Sequence, residues 1–145
     1  MRRNIGKIVA YYKKKFGTSD PFEIADALHI ELAVGDIGTR EGCYMYLKKH
    51  KCIFLNENLD EHEKRFVMAH ELGHAILHPK ENCYFIRNYT GLLISKIEIE
   101  ANKFAVDLLL PDDILMEYVE SGYTMEQVSR ITGYHEKLIE LRLKN

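Results

Sequence analysis

The fold is decided by the stretch from residue 66 to residue 78, which reads Phe66-Val67-Met68-Ala69-His70-Glu71-Leu72-Gly73-His74-Ala75-Ile76-Leu77-His78. Residues four apart in a helix lie one turn above each other, rotated by roughly 40°. His70 and His74 therefore share a helix face and can both give an imidazole nitrogen to one zinc ion. Glu71 lies roughly 100° from His70. At the edge of that face its carboxylate suits proton transfer from a metal-activated water better than metal ligation.

Apolar neighbours indicate that this His-Glu-x-x-His motif is buried. They surround it on both sides in the sequence (Phe66, Val67, Ala69, Leu72, Ala75, Ile76 and Leu77). Buried imidazole and carboxylate groups are costly unless they have partners. A zinc site is therefore favoured over the alternative, a satisfied cluster of buried polar groups. Gly73, which costs about 1 kcal/mol relative to Ala in a helix, indicates that another backbone approaches there.

The third zinc ligand must come from another element. His78 continues the histidine stripe, but it would sit roughly 6 Å further along the helix axis, too far to share a metal bond of about 2 Å. It is better explained as a cation at the helix end or as a wall residue. The best source is the amphipathic helical stretch 95–111, in which Ile97, Ala101, Phe104, Ala105 and Leu108 form one apolar stripe.

Two glutamates of that stretch compete for the metal. The pattern Ser95-x-x-Glu98 is typical of a capping box, which gives Glu98 a structural role. Glu100 has no such local role and lies at the edge of the buried face, so we predict that Glu100 is the third zinc ligand, with a fourth position open for water. Asp107, two turns further on, could orient a ligand imidazole, although an exposed surface carboxylate is the favoured interpretation.

The rest of the chain predicts an α+β fold that is mostly helical. Helical spacing and start or stop signals place helices over residues 3–16, 21–28 and 60–78. Alternating, β-rich segments place strands over residues 30–34, 43–47 and 52–55. We expect a small antiparallel sheet of about three strands packed beside the motif helix. Its edge could pair with an extended peptide, or it could simply be solvated.

Composition bounds the protein class. The 145 residues suit one domain, and 46% hydrophobic and 29% charged residues are ordinary for a soluble globular protein. The net charge of −2 gives no general case for nucleic-acid or membrane binding, and no apolar run approaches the roughly 20 residues of a membrane span. Cys43, Cys52 and Cys83 have no C-x-x-C spacing. They indicate reduced thiols in a cytoplasmic protein, with no part in zinc binding.

The sequence predicts a domain of residues 1–111 followed by a C-terminal helical extension, residues 112–145, which we call the tail. We expect the tail to pack on that same domain. After a short helix closed near Gly122, the sequence predicts a helix, a glycine turn and a second helix, with Thr124-x-x-Gln127 as a capping box. Acidic residues balance basic ones on the last helix, which does not favour direct DNA contact. A structural cap or a substrate-docking surface is the favoured interpretation.

Two motifs together resemble the ImmA/IrrE family of metallopeptidases: Ala-His-Glu-Leu-Gly-His-Ala-Ile-Leu-His at 69–78 and Glu-Ile-Glu-Ala-Asn-Lys-Phe-Ala-Val-Asp-Leu-Leu-Leu-Pro at 98–111. The resemblance covers residues 20–111 and implies a compact zincin-like metalloprotease domain. It also implies that the protein is cytoplasmic and that it performs limited proteolysis of a helix-turn-helix repressor of a phage or mobile element. The family's zinc glutamate directly precedes Ala-Asn, which again indicates Glu100.

These observations predict a zinc-dependent endopeptidase with one catalytic ion. Zinc is held by His70, His74 and Glu100, and Glu71 moves the proton from water to the leaving amine. A group that stabilises the oxyanion is also expected, and Tyr84, Tyr89 and His78 are candidates. The alternative is a non-catalytic, zinc-stabilised regulator that binds protein or DNA through its C-terminal helices. A small-substrate amidase is a third interpretation.

Overall fold

A computed structural model of the chain describes residues 3–85 and 95–144. Within them the element order is α1 (Ile5–Phe16), α2 (Pro21–Ala27), β1 (Glu31–Gly35), β2 (Gly42–Leu47), β3 (His50–Asn56), α3 (Glu61–Leu77), β4 (Cys83–Phe85), α4 (Lys96–Leu109), α5 (Asp112–Glu120), α6 (Met125–Thr132) and α7 (Glu136–Leu143). The predicted α+β class, mostly helical with a small sheet, is confirmed. No helix in these described ranges is long and apolar enough to cross a membrane.

Local sequence signals define most helix ends. The side chain of Asp60 accepts from the Glu63 backbone N–H, and the Glu63 carboxylate accepts from the Asp60 N–H, which completes the capping box at the start of α3. The helix ends at Leu77, one residue before the predicted end, with His78 as its C-cap directly before Pro79. Gly17 and Gly133 follow α1 and α6 in the left-handed conformation that glycine adopts without strain.

The sheet differs from the prediction in direction. Its order is β1-β3-β2-β4, and β2 pairs antiparallel with both β3 and β4. However, β1 pairs with β3 in parallel, so the sheet is mixed and not wholly antiparallel. The connection from β1 to β2 crosses the end of β3, where the Asn56 side-chain amide donates to the carbonyls of Gly38 and Arg40. This long-range anchoring has no signature in the strand periodicity.

Helix α3 forms the centre of the core, and every residue from 66 to 75 is buried. It packs between the sheet and α4. A Cβ placed on Gly73 would lie 3.1 Å from Phe104 Cβ and 3.2 Å from the backbone Cα and O of Ala101. The expected close approach of another backbone at Gly73 is therefore confirmed, and that backbone is α4. The close packing of α3 and α4 brings the faces of the two helices into one buried site.

The tail packs onto α4 through α7. Leu138 of α7 belongs to the main core, while a second cluster joins the tail helices to the end of α4 (Leu110, Leu115, Val128 and Ile139). Arg142 Nε donates to the Leu110 carbonyl at 2.6 Å. Tyr134 packs against both clusters and stacks on His62 near the start of α3, with ring centroids 5.0 Å apart. The division into residues 1–111 and 112–145 stays a prediction.

Candidate metal centre

His70 and His74 lie one turn apart on α3, and both side chains are fully buried. Their Nε2 atoms face each other at 3.2 Å. Two donors that are each about 2.0–2.1 Å from a tetrahedral zinc ion lie about 3.3 Å apart. The separation of the two imidazole nitrogens therefore fits a shared metal ion. Together with Glu71, these residues offer ligand atoms within 4.8 Å of one another.

Glu98 of α4 completes this pair. Its Oε2 lies 2.7 Å from His74 Nε2, and its Oε1 lies 3.1 Å from His70 Nε2. Burial alone would raise the pKa of Glu98, but hydrogen bonds and charge from the two imidazoles outweigh it and hold the pKa well below its ordinary value. The side chain is 25% exposed, so the cluster reaches the surface on the Glu98 side. Two nitrogens and a carboxylate that converge in this way form a ligand set typical of catalytic zinc.

The structure places Glu100 elsewhere. Its Oε1 lies 3.2 Å from His78 Nε2, and Glu98, two residues earlier on α4, occupies the position at the histidine pair that the sequence assigned to Glu100. The capping box that gave Glu98 a structural role does not form, because Ser95, although it is the N-cap residue, makes no side-chain capping hydrogen bond. Glu98 and Glu100 are rotated by roughly 200° about the helix axis, so Glu100 points away from the histidine pair when Glu98 faces it.

Asn102, which the sequence analysis did not select, orients His70. Its Oδ1 lies 2.8 Å from His70 Nδ1, and the amide is buried. An amide oxygen can only accept, so Nδ1 carries the proton and the lone pair of His70 Nε2 faces the cluster. Asn102 follows Glu98 by four residues and therefore shares its helix face. This four-residue spacing, with Asn102 next to the apolar Ala101, is the sequence feature that could have identified Glu98 and Asn102 as partners at the site.

Asp107 has neither of the two roles considered from the sequence. It is buried, not exposed, and its Oδ1 lies 2.8 Å from Lys103 Nζ and 3.7 Å from Arg142 Nε. Burial raises the pKa of Asp107 although both cations lower it. Asp107 therefore holds the tail against α4, away from the imidazoles.

Glu71 is fully buried beside the histidine pair, and neither of its carboxylate oxygens has a hydrogen-bond partner in the described parts of the chain. Burial, followed by the nearby charge of Glu98, raises the pKa of Glu71 well above its ordinary value. Gly42 of β2 makes room for it, since a Cβ there would lie 3.2 Å from Glu71 Oε2 and 2.5 Å from Val67 Cγ1. An unpartnered buried carboxylate of this kind is available to exchange a proton with a bound water.

Of the three residues considered for oxyanion stabilisation, the structure describes the side chain of His78 alone. His78 follows α3 as its C-cap, and burial lowers its pKa although Glu100 raises it. The backbone of Tyr84 lies in β4, but its side chain and all of Tyr89 lie outside the described residues.

Among the residues whose side chains are described, no thiol belongs to this metal cluster. Cys43 and Cys52 are free, and burial raises the pKa of Cys43 to about 11. The side chain of Cys83 also lies outside the described residues.

Comparison with known proteins gives a family. Residues 25–144 match the sequence profile described as the IrrE N-terminal-like domain, a peptidase family. The match includes both the α3 motif and the α4 cluster residues, and it continues through the C-terminal helices.

Individual relatives agree with this match. Immunity region protein 2 of Bacillus phage phi105 is 38% identical over 130 residues, which cover 89% of this chain and 82% of the phage protein. Metallopeptidase ImmA of Bacillus subtilis is 36% identical over 121 residues, covering 80% of this chain and 70% of the relative. The radiation response metalloprotease IrrE of Deinococcus deserti is 29% identical over 108 residues, covering 70% of this chain but 38% of the relative. The chain belongs to the ImmA/IrrE family of metallopeptidases.

Proposed function

We propose that this metallopeptidase is a zinc-dependent endopeptidase that makes a limited, regulatory cut in a helix-turn-helix repressor of a phage or mobile element. The observation that carries the proposal is the convergence of His70, His74 and Glu98 beside the unpartnered carboxylate of Glu71. A protein substrate follows from the peptidase family. The repressor is supported by the phage relative, whose name places it in an immunity region.

We propose His70, His74 and Glu98 as the zinc ligands, with Glu98 replacing Glu100 from the sequence analysis. The choice of zinc follows from the two-imidazole, one-carboxylate donor set. When bound, zinc would polarise the scissile carbonyl and lower the pKa of a water molecule. Asn102 fixes the tautomer and the ring orientation of His70. Glu71 follows His70 directly in α3, and its two carboxylate oxygens have no hydrogen-bond partner in the described parts of the chain.

Glu71 acts as the general base in this mechanism. Its carboxylate takes a proton from the attacking water and passes it to the leaving amine nitrogen, so the base is regenerated as the peptide bond breaks. The raised pKa of Glu71, caused first by burial, suits its role because it makes the carboxylate a stronger proton acceptor toward the attacking water. The surrounding wall of apolar residues keeps bulk water away and strengthens these interactions.

The substrate is proposed to bind in an extended form along β4. This strand is the last in the sheet order, and β2, its neighbour, carries Gly42 against Glu71. In the described ranges β4 pairs only with β2, which leaves its outer edge for backbone pairing with a peptide. Such pairing would present successive peptide bonds to the carboxylate of Glu71.

The test is cleavage of the intact repressor encoded beside this gene, by the wild-type chain, by the wild-type chain with a zinc chelator, and by Glu71→Gln. The proposal expects discrete fragments from the wild type alone, with zinc still bound to Glu71→Gln. A non-catalytic zinc-stabilised regulator would instead leave the repressor intact in all three samples, and its binding would be unaffected by the Glu71→Gln change.

A further inference from the structure

The exposed apolar side chains of this protein are concentrated in its tail. Of the eleven large hydrophobic residues exposed in the described ranges, six lie between residues 114 and 131 (Ile114, Met116, Val119, Tyr123, Met125 and Ile131). Isolated exposed apolar residues are normal on a protein surface, but several in one short segment indicate a binding surface. We call the exposed side of residues 112–131 the tail surface.

The tail surface is also strongly acidic. Residues 112–131 contain five acidic residues (Asp112, Asp113, Glu117, Glu120 and Glu126) and one basic residue, Arg130, which gives a net charge of −4. The whole chain has a net charge of −2, so the remaining residues sum to +2. The acidity is therefore a local property of the tail surface and not of the protein as a whole.

Intramolecular contacts leave most of this charge available. Asp112 pairs with Arg142, and Glu126 Oε1 lies 3.6 Å from Arg130 Nη2. Within the described parts of the chain, the side chains of Asp113, Glu117 and Glu120 form no hydrogen bond or ion pair. Three exposed carboxylates thus remain beside exposed apolar groups.

Helix α5 arranges these groups in two faces. Leu115 and Tyr118 face inward, toward the second core cluster. Met116 and Val119, three residues apart, share the outward face, where they are 51% and 57% exposed. Glu120 follows Val119 directly, at the rim of that face. An apolar stripe with a carboxylate rim is complementary to a helix that carries apolar residues on one side and Lys or Arg beside them.

We propose that the tail surface docks a positively charged amphipathic helix of the protein substrate before cleavage. This inference rests on the proposed function, because the DNA-binding part of a repressor must carry such a surplus of Lys and Arg to bind phosphates. A second copy of this chain fits less well, since two tail surfaces that face each other would bring −4 against −4.

The docked segment would be held in a fixed place relative to the metal centre. Tyr134, at the turn between α6 and α7, lies 5.8 Å from Phe66 between ring centroids, and Phe66 lies 6.3 Å from His70. This packing fixes the tail to the same helix that carries the histidine pair. Docking on the tail surface therefore raises the local concentration of the scissile bond at the site.

The test is a charge reversal on the tail surface, Glu117→Lys/Glu120→Lys, with repressor cleavage measured over a range of repressor concentrations. We expect KM to rise at least about tenfold while kcat stays within about twofold, because the lost contacts bind the substrate away from the reacting bond. The matched control is Asp26→Lys/Glu57→Lys, which makes the same charge change at exposed positions on α2 and after β3, and its KM should stay within about twofold of the wild-type value. An unchanged KM for Glu117→Lys/Glu120→Lys, or an equal rise for the control, would overturn the inference.

A second variant separates the apolar contribution, and a binding assay separates docking from cleavage. Met116→Ser/Val119→Ser should also raise KM, because it removes the apolar contact with the docked helix. Both side chains are exposed, so their replacement leaves the core intact.

Binding of intact repressor to Glu71→Gln, measured by calorimetry, should weaken at least about tenfold when Glu117→Lys/Glu120→Lys is added. If the wild type cuts no repressor, the proposed function fails, yet this binding difference would still support docking. Unchanged binding, or a dimer of the free chain that the charge reversal dissociates, would overturn the docking inference.

Discussion

Two glutamates on α4, two residues apart, have very different surroundings. Glu98 shares its helix face with Asn102 and lies within hydrogen-bond distance of both imidazoles of the pair. Glu100 lies on another side and contacts His78. The difference follows from helix geometry, since residues three or four apart share one face and residues two apart do not. Glu98 and Asn102 therefore act on the metal site together, one through its charge and one through the orientation of His70.

At this scale, Asn102→Ala should weaken zinc binding by about 10–100-fold, because the His70 N–H loses its acceptor and the ring loses its fixed orientation. The measurement is zinc affinity by competition with a chromogenic chelator, with circular dichroism to confirm folding. Asn102→Asp is the matched control, since it keeps an oxygen acceptor at the same position. Equal affinities for wild type and Asn102→Ala would show that Asn102 has no role in orienting His70.

At the scale of elements, the close packing of α3 and α4 at Gly73 holds the site together. The Cβ of an alanine at residue 73 would meet Ala101 backbone atoms at 3.2 Å, and backbone atoms of a packed helix cannot move aside as a flexible side chain can. The ligands lie on both helices, so a shift of one helix would also change the distance between the histidine pair and Glu98.

We therefore predict that Gly73→Ala lowers the free energy of unfolding by about 1–3 kcal/mol, the usual cost of overpacking a core, although alanine alone would favour the helix by about 1 kcal/mol. Chemical denaturation measures the change. Gly6→Ala in α1 is the control, because its nearest neighbours would lie at ordinary distances of 3.5 and 3.7 Å. It should be neutral or stabilising. Gly73→Ala as stable as wild type would mean that α4 does not approach so closely.

Much of the element structure follows from local sequence signals. Thr124 with Gln127 was predicted as a capping box and is confirmed, and Asp60 with Glu63 forms a second one at the predicted start of α3. The His-Glu-x-x-His spacing likewise predicted which side chains of α3 meet. The pattern at Ser95 was misleading because contacts with residues distant in sequence, the two histidines, engage the Glu98 side chain. The parallel pairing of β1 was missed for a similar reason, since strand order depends on long-range contacts and not on periodicity.

At the scale of the whole molecule, the tail is joined to α4 through a buried charge cluster. Asp107, with Lys103 and Arg142, links α4 to α7, and Arg142 also donates to the carbonyl at the end of α4. Burial raises the pKa of Asp107 above its ordinary value of 3.8, against the effect of the cations. The carboxyl group of Asp107 therefore binds its proton more tightly in the folded chain than in the unfolded chain.

The sign of the resulting pH dependence follows from linkage. Between pH 3.8 and the raised pKa of Asp107, the folded state binds more protons than the unfolded state, so the contribution of Asp107 to stability falls as pH rises. In Asp107→Asn this contribution is absent. We predict that the stability of wild type relative to Asp107→Asn decreases from pH 4 upward and then becomes constant, as measured by denaturation at a series of pH values. A relative stability that increases over this range would contradict the burial effect.

The most direct test of the account is zinc affinity in two matched variants, Glu98→Gln and Glu100→Gln. Each removes one negative charge from α4 and preserves the side-chain shape. We predict that Glu98→Gln weakens zinc binding by at least about 100-fold, the upper range for the loss of an outer partner of a ligand, while Glu100→Gln binds zinc like the wild type. The reverse result, with zinc lost from Glu100→Gln and retained by Glu98→Gln, would contradict the metal centre described above.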